Sequence, residues 1–307
     1  MDILVTNNLT KKYKDFYATK DVNMHIEKGD IYGFVGENGA GKTTIIRMIA
    51  GLAEPTEGTY NLFGINSSDP QIQTVKHKMA SIVEVASLSR GMTALQNLRF
   101  QAYISNVKKT DDELITLINK VGLDYETIKK RKVSNFSLGM RQRLAIACIL
   151  VADPEFIMLD EPMNGLDPQG FIEIREIIMN LSQEGVTFLI SSHILSELEK
   201  MCNKVGFISH GHLIEELSIE ELHARSRKHI AVSFDDPEAA LKVLQEGLSL
   251  QECVINHQNV LIYDNLDVNV LMRFLVDNHM TVKSIDCVEE TIENYYVELM
   301  GKVNNND

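Results

Sequence analysis

The sequence predicts an α/β fold with a largely parallel sheet over about its first 220 residues, followed by a small α+β segment. Three observations carry this expectation. Short apolar runs alternate with helix-period stretches through the first part. A glycine-rich turn joins one of those runs directly to a helix. After a polar, basic segment at residues 223–229, the order becomes strand, helix, two strands, helix, strand, which matches a split βαβ, ferredoxin-like pattern.

Residues 31–35 read as a buried strand, and Ile45, Ile46, Met48 and Ile49 lie on the helix that follows. Residues 156–159 form a second apolar strand and residues 187–190 a third, rich in β-formers. Between the first two, residues 93–152 read as more helical. Past the basic segment come a strand at 230–234, a helix at 237–245 and strands at 253–255 and 260–263. A helix at 268–277, a strand at 282–285 and a last helix follow. The boundary is expected between residues 222 and 223, giving domains 1–222 and 223–307.

With 307 residues, the chain can bury a large core and a smaller one without disulfide or metal staples. Its net charge of −13, from 43 acidic and 30 basic residues, repels phosphate backbones and anionic lipid. Nucleic acid and direct membrane insertion are therefore not expected as partners. Cys148, Cys202, Cys253 and Cys287 make no C-x-x-C pair, so a zinc or iron–sulfur site is not expected. The first residues lack signal-peptide character, and no apolar run reaches about 18 residues. A soluble chain with reduced thiols in a cytosol is expected.

The strongest chemical signal is Gly36-Glu37-Asn38-Gly39-Ala40-Gly41-Lys42-Thr43, with Thr44 next on the helix. Glycines let such a backbone fold around phosphates with its N–H groups pointing inward. Lys42 supplies a point charge to the β/γ-phosphates and the Thr43 hydroxyl can ligate Mg²⁺. The helix N-terminus adds its dipole. As a loop at a sheet edge, it is expected to leave Lys42 as a surface cation.

The strand at 156–159 delivers two acids, Asp160 and Glu161, to its C-terminal end. Burying carboxylates beside an apolar strand is costly unless a cation or a reaction needs them. Asp160 would hold Mg²⁺ through water, and Glu161 would act as general base on the attacking water.

Some twenty residues earlier lies Asn135-Phe136-Ser137-Leu138-Gly139-Met140-Arg141-Gln142-Arg143-Leu144. Ser137 can cap a helix whose apolar face is Leu144, Ala147, Cys148 and Val151, leaving N–H groups and the Gly139 backbone as an anion site. This run resembles the signature segment of ATP-binding-cassette (ABC) transporter subunits. The resemblance covers about residues 1–222 and implies a P-loop ATPase domain with a helical subdomain, binding ATP and Mg²⁺. It implies that Ser137, Leu138, Gly139 and Met140 of one copy face the γ-phosphate held by a second copy, in an ATP-dependent homodimer. It further implies that Asp167, in Asn164-Gly165-Leu166-Asp167, belongs to the loop after the acidic strand, with Asp167-Pro168 opening a helix. By the same likeness, His193 is the switch histidine on the γ-phosphate, and Tyr13 stacks on adenine.

Three residues depart from the family pattern: Leu138 for the first signature glycine, Met140 for its glutamine, and Glu84 where a glutamine is usual. Glu84 can accept from metal-bound water but cannot donate like an amide. Such departures are similar to those of bacterial multidrug and peptide-antibiotic export cassettes, of bacitracin-resistance or lantibiotic-immunity type. The implied function is ATP hydrolysis powering export through a separate integral membrane permease. The chain would be cytoplasmic, peripheral at the inner face of the membrane, and would dock through residues 86–101. The alternatives are a soluble cassette acting on ribosomes or DNA and a regulatory ATP sensor; the transported substrate is left open.

Overall fold

The computed structural model describes residues 1–84, 87–225, 229–288 and 292–304. Val85 beside Glu84, Ala86 at the start of the expected docking segment, and Ser226, Arg227 and Lys228 of the basic segment lie outside the described residues. The chain divides into two compact units, Met1–Ile219 and Glu220–Asp307.

The first unit opens with β1 (Asp2–Tyr13), β2 (Phe16–Val22), β3 (His25–Glu27) and β4 (Ile31–Val35), then α1 (Lys42–Ile49), β5 (Glu57–Leu62) and β6 (Ile65–Asn66). Next come α2 (Gln73–Lys76), β7 (Met79–Ile82), α3 (Ala94–Ile104), α4 (Asp111–Lys120), α5 (Tyr125–Ile128) and α6 (Leu138–Leu150). It continues with β8 (Phe156–Asp160), α7 (Pro168–Gln183), β9 (Thr187–Ser192), α8 (Leu195–Glu199), β10 (Lys204–Ser209) and β11 (His212–Ser218).

The expected parallel sheet is present, in the order β11-β10-β4-β9-β8-β7, parallel throughout except for β11. Strands β4, β8 and β9 are buried along their whole length, as strands covered on both faces must be. Register then does the functional work. Val35 pairs with Ser192, and Asp160 with Ser191, so the chain segments leaving β4, β8 and β9 emerge side by side. Ligands of open α/β sheets bind at such carboxyl ends.

One feature of this unit departs from the α/β alternation expected of the sequence. Strands β1, β2, β3, β5 and β6 form a separate antiparallel sheet. Ile3, Leu4, Leu9 and Val22 of that sheet share one buried cluster with Ile45, Ile46 and Ile49 of α1 and with Phe34, Phe156 and Leu189 of the parallel sheet. The phosphate loop is thus held from two sides. The helical stretch is as expected, and capping boxes at Thr93/Gln96 and Thr110/Glu113 start α3 and α4.

In the chain between and within the second unit lie α9 (Ile219–Arg225), β12 (His229–Ser233), α10 (Pro237–Leu248), β13 (Cys253–Asn256), β14 (Asn259–Ile262), α11 (Val268–Asp277), β15 (Ser284–Val288) and α12 (Ile292–Asn304). The antiparallel sheet runs β13-β14-β12-β15, the order a split βαβ unit produces. Val232, Phe234, Leu244, Val260, Ile262 and Leu271 form its own core. Asp236 and Asp267 cap α10 and α11. Several bounds differ by one to three residues from those expected of the sequence, two of them for a visible reason. Helix α10 runs on to Leu248, stopped by Ser249 in the left-handed region at φ 55°. The last strand begins at Ser284 rather than residue 282, because pairing with β12 starts at Ser233↔Ser284.

Candidate functional site

The loop after β4 needs its glycines for packing as much as for phosphate. A Cβ on Gly36 would lie 2.4 Å from the Ile208 carbonyl oxygen, and one on Gly41 would lie 2.7 Å from that of Ala18. Gly41 also has φ 111° and is the N-cap of α1. The first N–H groups of α1 lack helical acceptors, and no side chain caps them, which leaves them for an anion.

Lys42 corrects the expectation of a surface cation. It is 6% exposed, and its Nζ donates to the carbonyl oxygens of Gly36 at 2.5 Å and Glu37 at 3.2 Å. The loop sits at the end of a central strand, not at a sheet edge, which is why the side chain is enclosed. The Nζ also lies 3.4 Å from Glu161 Oε1. Among the described residues that oxygen accepts no hydrogen bond, so the pair is an ion pair by distance without hydrogen-bond geometry.

The two acids are held differently. Asp160 is 4% exposed; Thr43 Oγ1 donates to its Oδ2 at 2.8 Å and Ser191 Oγ to its Oδ1 at 2.6 Å. Glu161 leaves the strand with φ 49°, an uncommon conformation for a residue with a side chain and one that clusters at functional sites. Its Oε2 lies 2.7 Å from His193 Nδ1. Lys42, Glu161 and His193 therefore form one row from the phosphate loop to the end of β9, with Thr43 and Asp160 beside it. A cation, two carboxylates, a hydroxyl and an imidazole around a helix N-terminus can bind a polyphosphate and deprotonate a water beside it.

A cleft of about 440 Å³ is lined by Thr43, Asp160, Glu161, Glu84, Leu138 and Arg141, among others. A second depression, of about 330 Å³, lies between Tyr13, Phe16 and Ala18 on one side and Gly39, Gly41, Lys42, Thr43 and Thr44 on the other. Tyr13 is about half exposed and pairs across the β1–β2 turn with Phe16, which is more exposed still. Phe16 and Ser191 are absent from the sequence reading. The hairpin alternation around Tyr13 could have suggested the first, and a serine pair directly before His193 the second.

Glu84 is brought to the cleft, yet its carboxylate accepts from Arg47 of α1 at 2.5 Å and is mostly exposed. Its backbone is left-handed, with φ 60°. Ser137 caps α6, its Oγ accepting from Met140 N at 3.1 Å, and the expected apolar face is buried. Gly139 opens onto free space apart from Leu166, whereas Leu138 is 43% exposed and packs by Gly165. Asp167 caps α7, accepting from Gly170 N at 2.9 Å. Within the described part of the expected docking segment, Leu95 and Leu98 are buried and Phe100 is half exposed. Gln101, Ser87 and Leu88 line a groove with Leu52 and Ile149. Among the described residues, no helix is long and apolar enough to cross a membrane. Cys148 and Cys202 are buried free thiols pushed up by desolvation, Cys148 to about 12, which leaves them unreactive.

A family model described as ABC transporter matches residues 19–164. Among curated proteins, the bacitracin transport ATP-binding protein BcrA of Enterococcus faecalis is 40% identical, over 97% of this chain and 96% of its own length. The lantibiotic transport ATP-binding protein SrtF of Streptococcus pyogenes is 42% identical over 70% of this chain and 90% of its own. Among solved structures, cbiO1 from Clostridium perfringens, part of an ABC transporter complex, is 26% identical with TM-score 0.65, covering 81% of this chain and 96% of that one. A dimeric ATP-binding cassette in a post-hydrolysis state with ADP and Pi has TM-score 0.63 at 24% identity, over 70% of this chain and 98% of that one, and shares the fold.

Proposed function

The chain belongs to the ABC transporter ATP-binding family, and from that premise we propose that it hydrolyses MgATP to drive export of a peptide antibiotic through a separate membrane permease. The observation that carries the catalytic part is the row Lys42–Glu161–His193 beside Thr43 and Asp160. The cargo class rests on likeness to BcrA over 97% of the chain, far more than the matched family model spans.

In this reading the loop 36–44 wraps the phosphates with backbone N–H groups, and Lys42 exchanges its carbonyl partners for phosphate oxygens. Tyr13, joined by Phe16, stacks on adenine. The hydroxyl of Thr43 and the carboxylate of Asp160 would hold Mg²⁺; both are hard oxygen donors already within hydrogen-bonding distance of each other, which fits that ion. The ion would neutralise charge on the phosphate oxygens. Glu161 takes the proton of the attacking water, while His193 orients Glu161 and reaches the γ-phosphate. Ser137, Leu138, Gly139 and Met140 cover the nucleotide of a second copy, with Asp167 supporting the loop beside them. Every one of these residues precedes residue 223, so residues 1–222 are assigned as the nucleotide-binding domain and 223–307 as an accessory one. Docking on the permease through residues 86–101 would hold the chain at the inner face of the membrane.

Tagged chain recovered from detergent-solubilised membranes should carry a multi-span membrane protein with it, and deleting the chain should raise sensitivity to bacitracin or a lantibiotic. Recovery of the chain alone, with unaltered sensitivity to both, rules the export reading out.

Glu84 gives a test specific to this sequence. Glu84→Gln removes the carboxylate held by Arg47 and supplies the amide usual in the family. An exposed pair is worth at most about 1 kcal/mol, so stability should barely change. The Mg²⁺ concentration giving half-maximal hydrolysis should shift by several-fold, because one anion leaves the cleft. Superimposable magnesium titrations would place Glu84 outside the reach of the ion.

A further inference from the structure

We propose that Ser191 is a positioning residue that sets the orientation of both Asp160 and Glu161 for nucleotide-bound Mg²⁺. This inference rests on the ATPase reading above. Ser191 is fully buried at the carboxyl end of β9, between the strands that carry the loop and the acids. A hydroxyl has one hydrogen to give. Here it goes to Asp160 Oδ1 at 2.6 Å, which turns a lone pair toward the Glu161 N–H at 3.0 Å. The Ser191 carbonyl receives the same N–H at 3.2 Å.

Two consequences follow from that arrangement. With Oδ1 occupied, Asp160 is fixed about its terminal torsion and presents Oδ2 toward Thr43. With its N–H anchored twice, Glu161 is held in the left-handed backbone that aims its side chain at Lys42 and His193. The neighbouring Ser192 hydroxyl has another task, accepting from Ile194 N at 2.9 Å. One side chain therefore couples the metal-facing and water-facing carboxylates, which are successive residues whose side chains must serve different atoms.

The test uses the full chain, trinitrophenyl-ATP as the probe, and titrations in EDTA and in Mg²⁺. In Ser191→Ala the affinity in EDTA should stay within about twofold of wild type. The gain in affinity on adding Mg²⁺ should shrink by about tenfold or more, the scale of one lost hydrogen bond to a charged group. Hydrolysis should fall with kcat rather than KM for ATP. Ser191→Thr, which keeps the hydroxyl, should restore the magnesium response. Ser191→Cys, a similar volume with a weak donor, should behave like alanine and serves as the lesion if alanine does not fold. Equal loss of affinity with and without Mg²⁺ would make Ser191 a structural residue and overturn the proposal, as would unchanged hydrolysis in Ser191→Ala. If wild type binds the probe equally in EDTA and in Mg²⁺, the inference fails while the ATPase reading stands; if wild type does not hydrolyse ATP with Mg²⁺, the ATPase reading fails first, and the inference with it.

Discussion

Glu161→Gln should hydrolyse ATP about 10²–10⁴-fold more slowly than wild type while binding it normally. The structure explains why the change should be clean. The new carboxamide has the same shape, but its NH₂ cannot face Lys42, which is also only a donor. It must turn its oxygen toward Lys42 and its NH₂ toward His193 Nδ1, which selects the tautomer with the proton on Nε2. Both neighbours stay engaged, and the left-handed backbone at φ 49° is no more strained for glutamine than for glutamate. What is lost is the basic carboxylate. With hydrolysis blocked, ATP should remain between the phosphate loop of one copy and Ser137 and Gly139 of the other. The mutant should then elute as a dimer with MgATP and as a monomer without it. Adding Ser137→Arg should abolish the dimer, since Gly139 and the start of α6 open onto free space that an arginine would fill. Each monomer should still bind ATP through Lys42. A single mutant that stays monomeric at saturating MgATP would remove the trans arrangement as an intrinsic property of this chain.

The residues of the site were legible where a linear run coincides with a strand end. Gly36 to Thr43 and His193 each follow a fully buried strand and Asp160-Glu161 straddle the end of another, and burial of both faces makes such strands conspicuous as largely apolar runs. The N-terminal sheet was not legible for the opposite reason. Strand β1 carries irregularities between Leu9 and Lys11 and between Lys11 and Lys12, and Asn8 is left-handed, so its burial does not alternate with period two. Contacts between distant residues that share no expected ligand were also beyond reach. Ser191 meets Asp160 across 31 positions, and Arg47 meets Glu84 across 37. No spacing rule in one sequence reports such pairs; they exist because β7, β8 and β9 are successive neighbours and α1 packs against β8.

The burial of Lys42 changes what its removal should do. Lys42→Ala deletes the cation at the centre of the row, so ATP affinity should drop at least about tenfold, one lost charge-assisted contact to phosphate, and turnover should become undetectable. For a surface lysine the fold would be indifferent, but here three partners are left behind. The carbonyls of Gly36 and Glu37 lose a donor, and among the described residues the Glu161 carboxylate keeps His193 alone. Against that, Glu161 is 20% exposed and Glu37 borders open solvent, so water can reach them in place of the ammonium. Removing a buried cation also removes its desolvation cost. The net loss should be about 1–3 kcal/mol, enough to lower the melting temperature by several degrees but not to unfold a unit with so large a core. Lys42→Met, which keeps the apolar stem, separates the two effects. It should recover part of the melting temperature and none of the turnover. Calorimetry and a hydrolysis assay on the same preparations decide the matter: normal ATPase activity in a folded Lys42→Ala chain would falsify the assignment of the site.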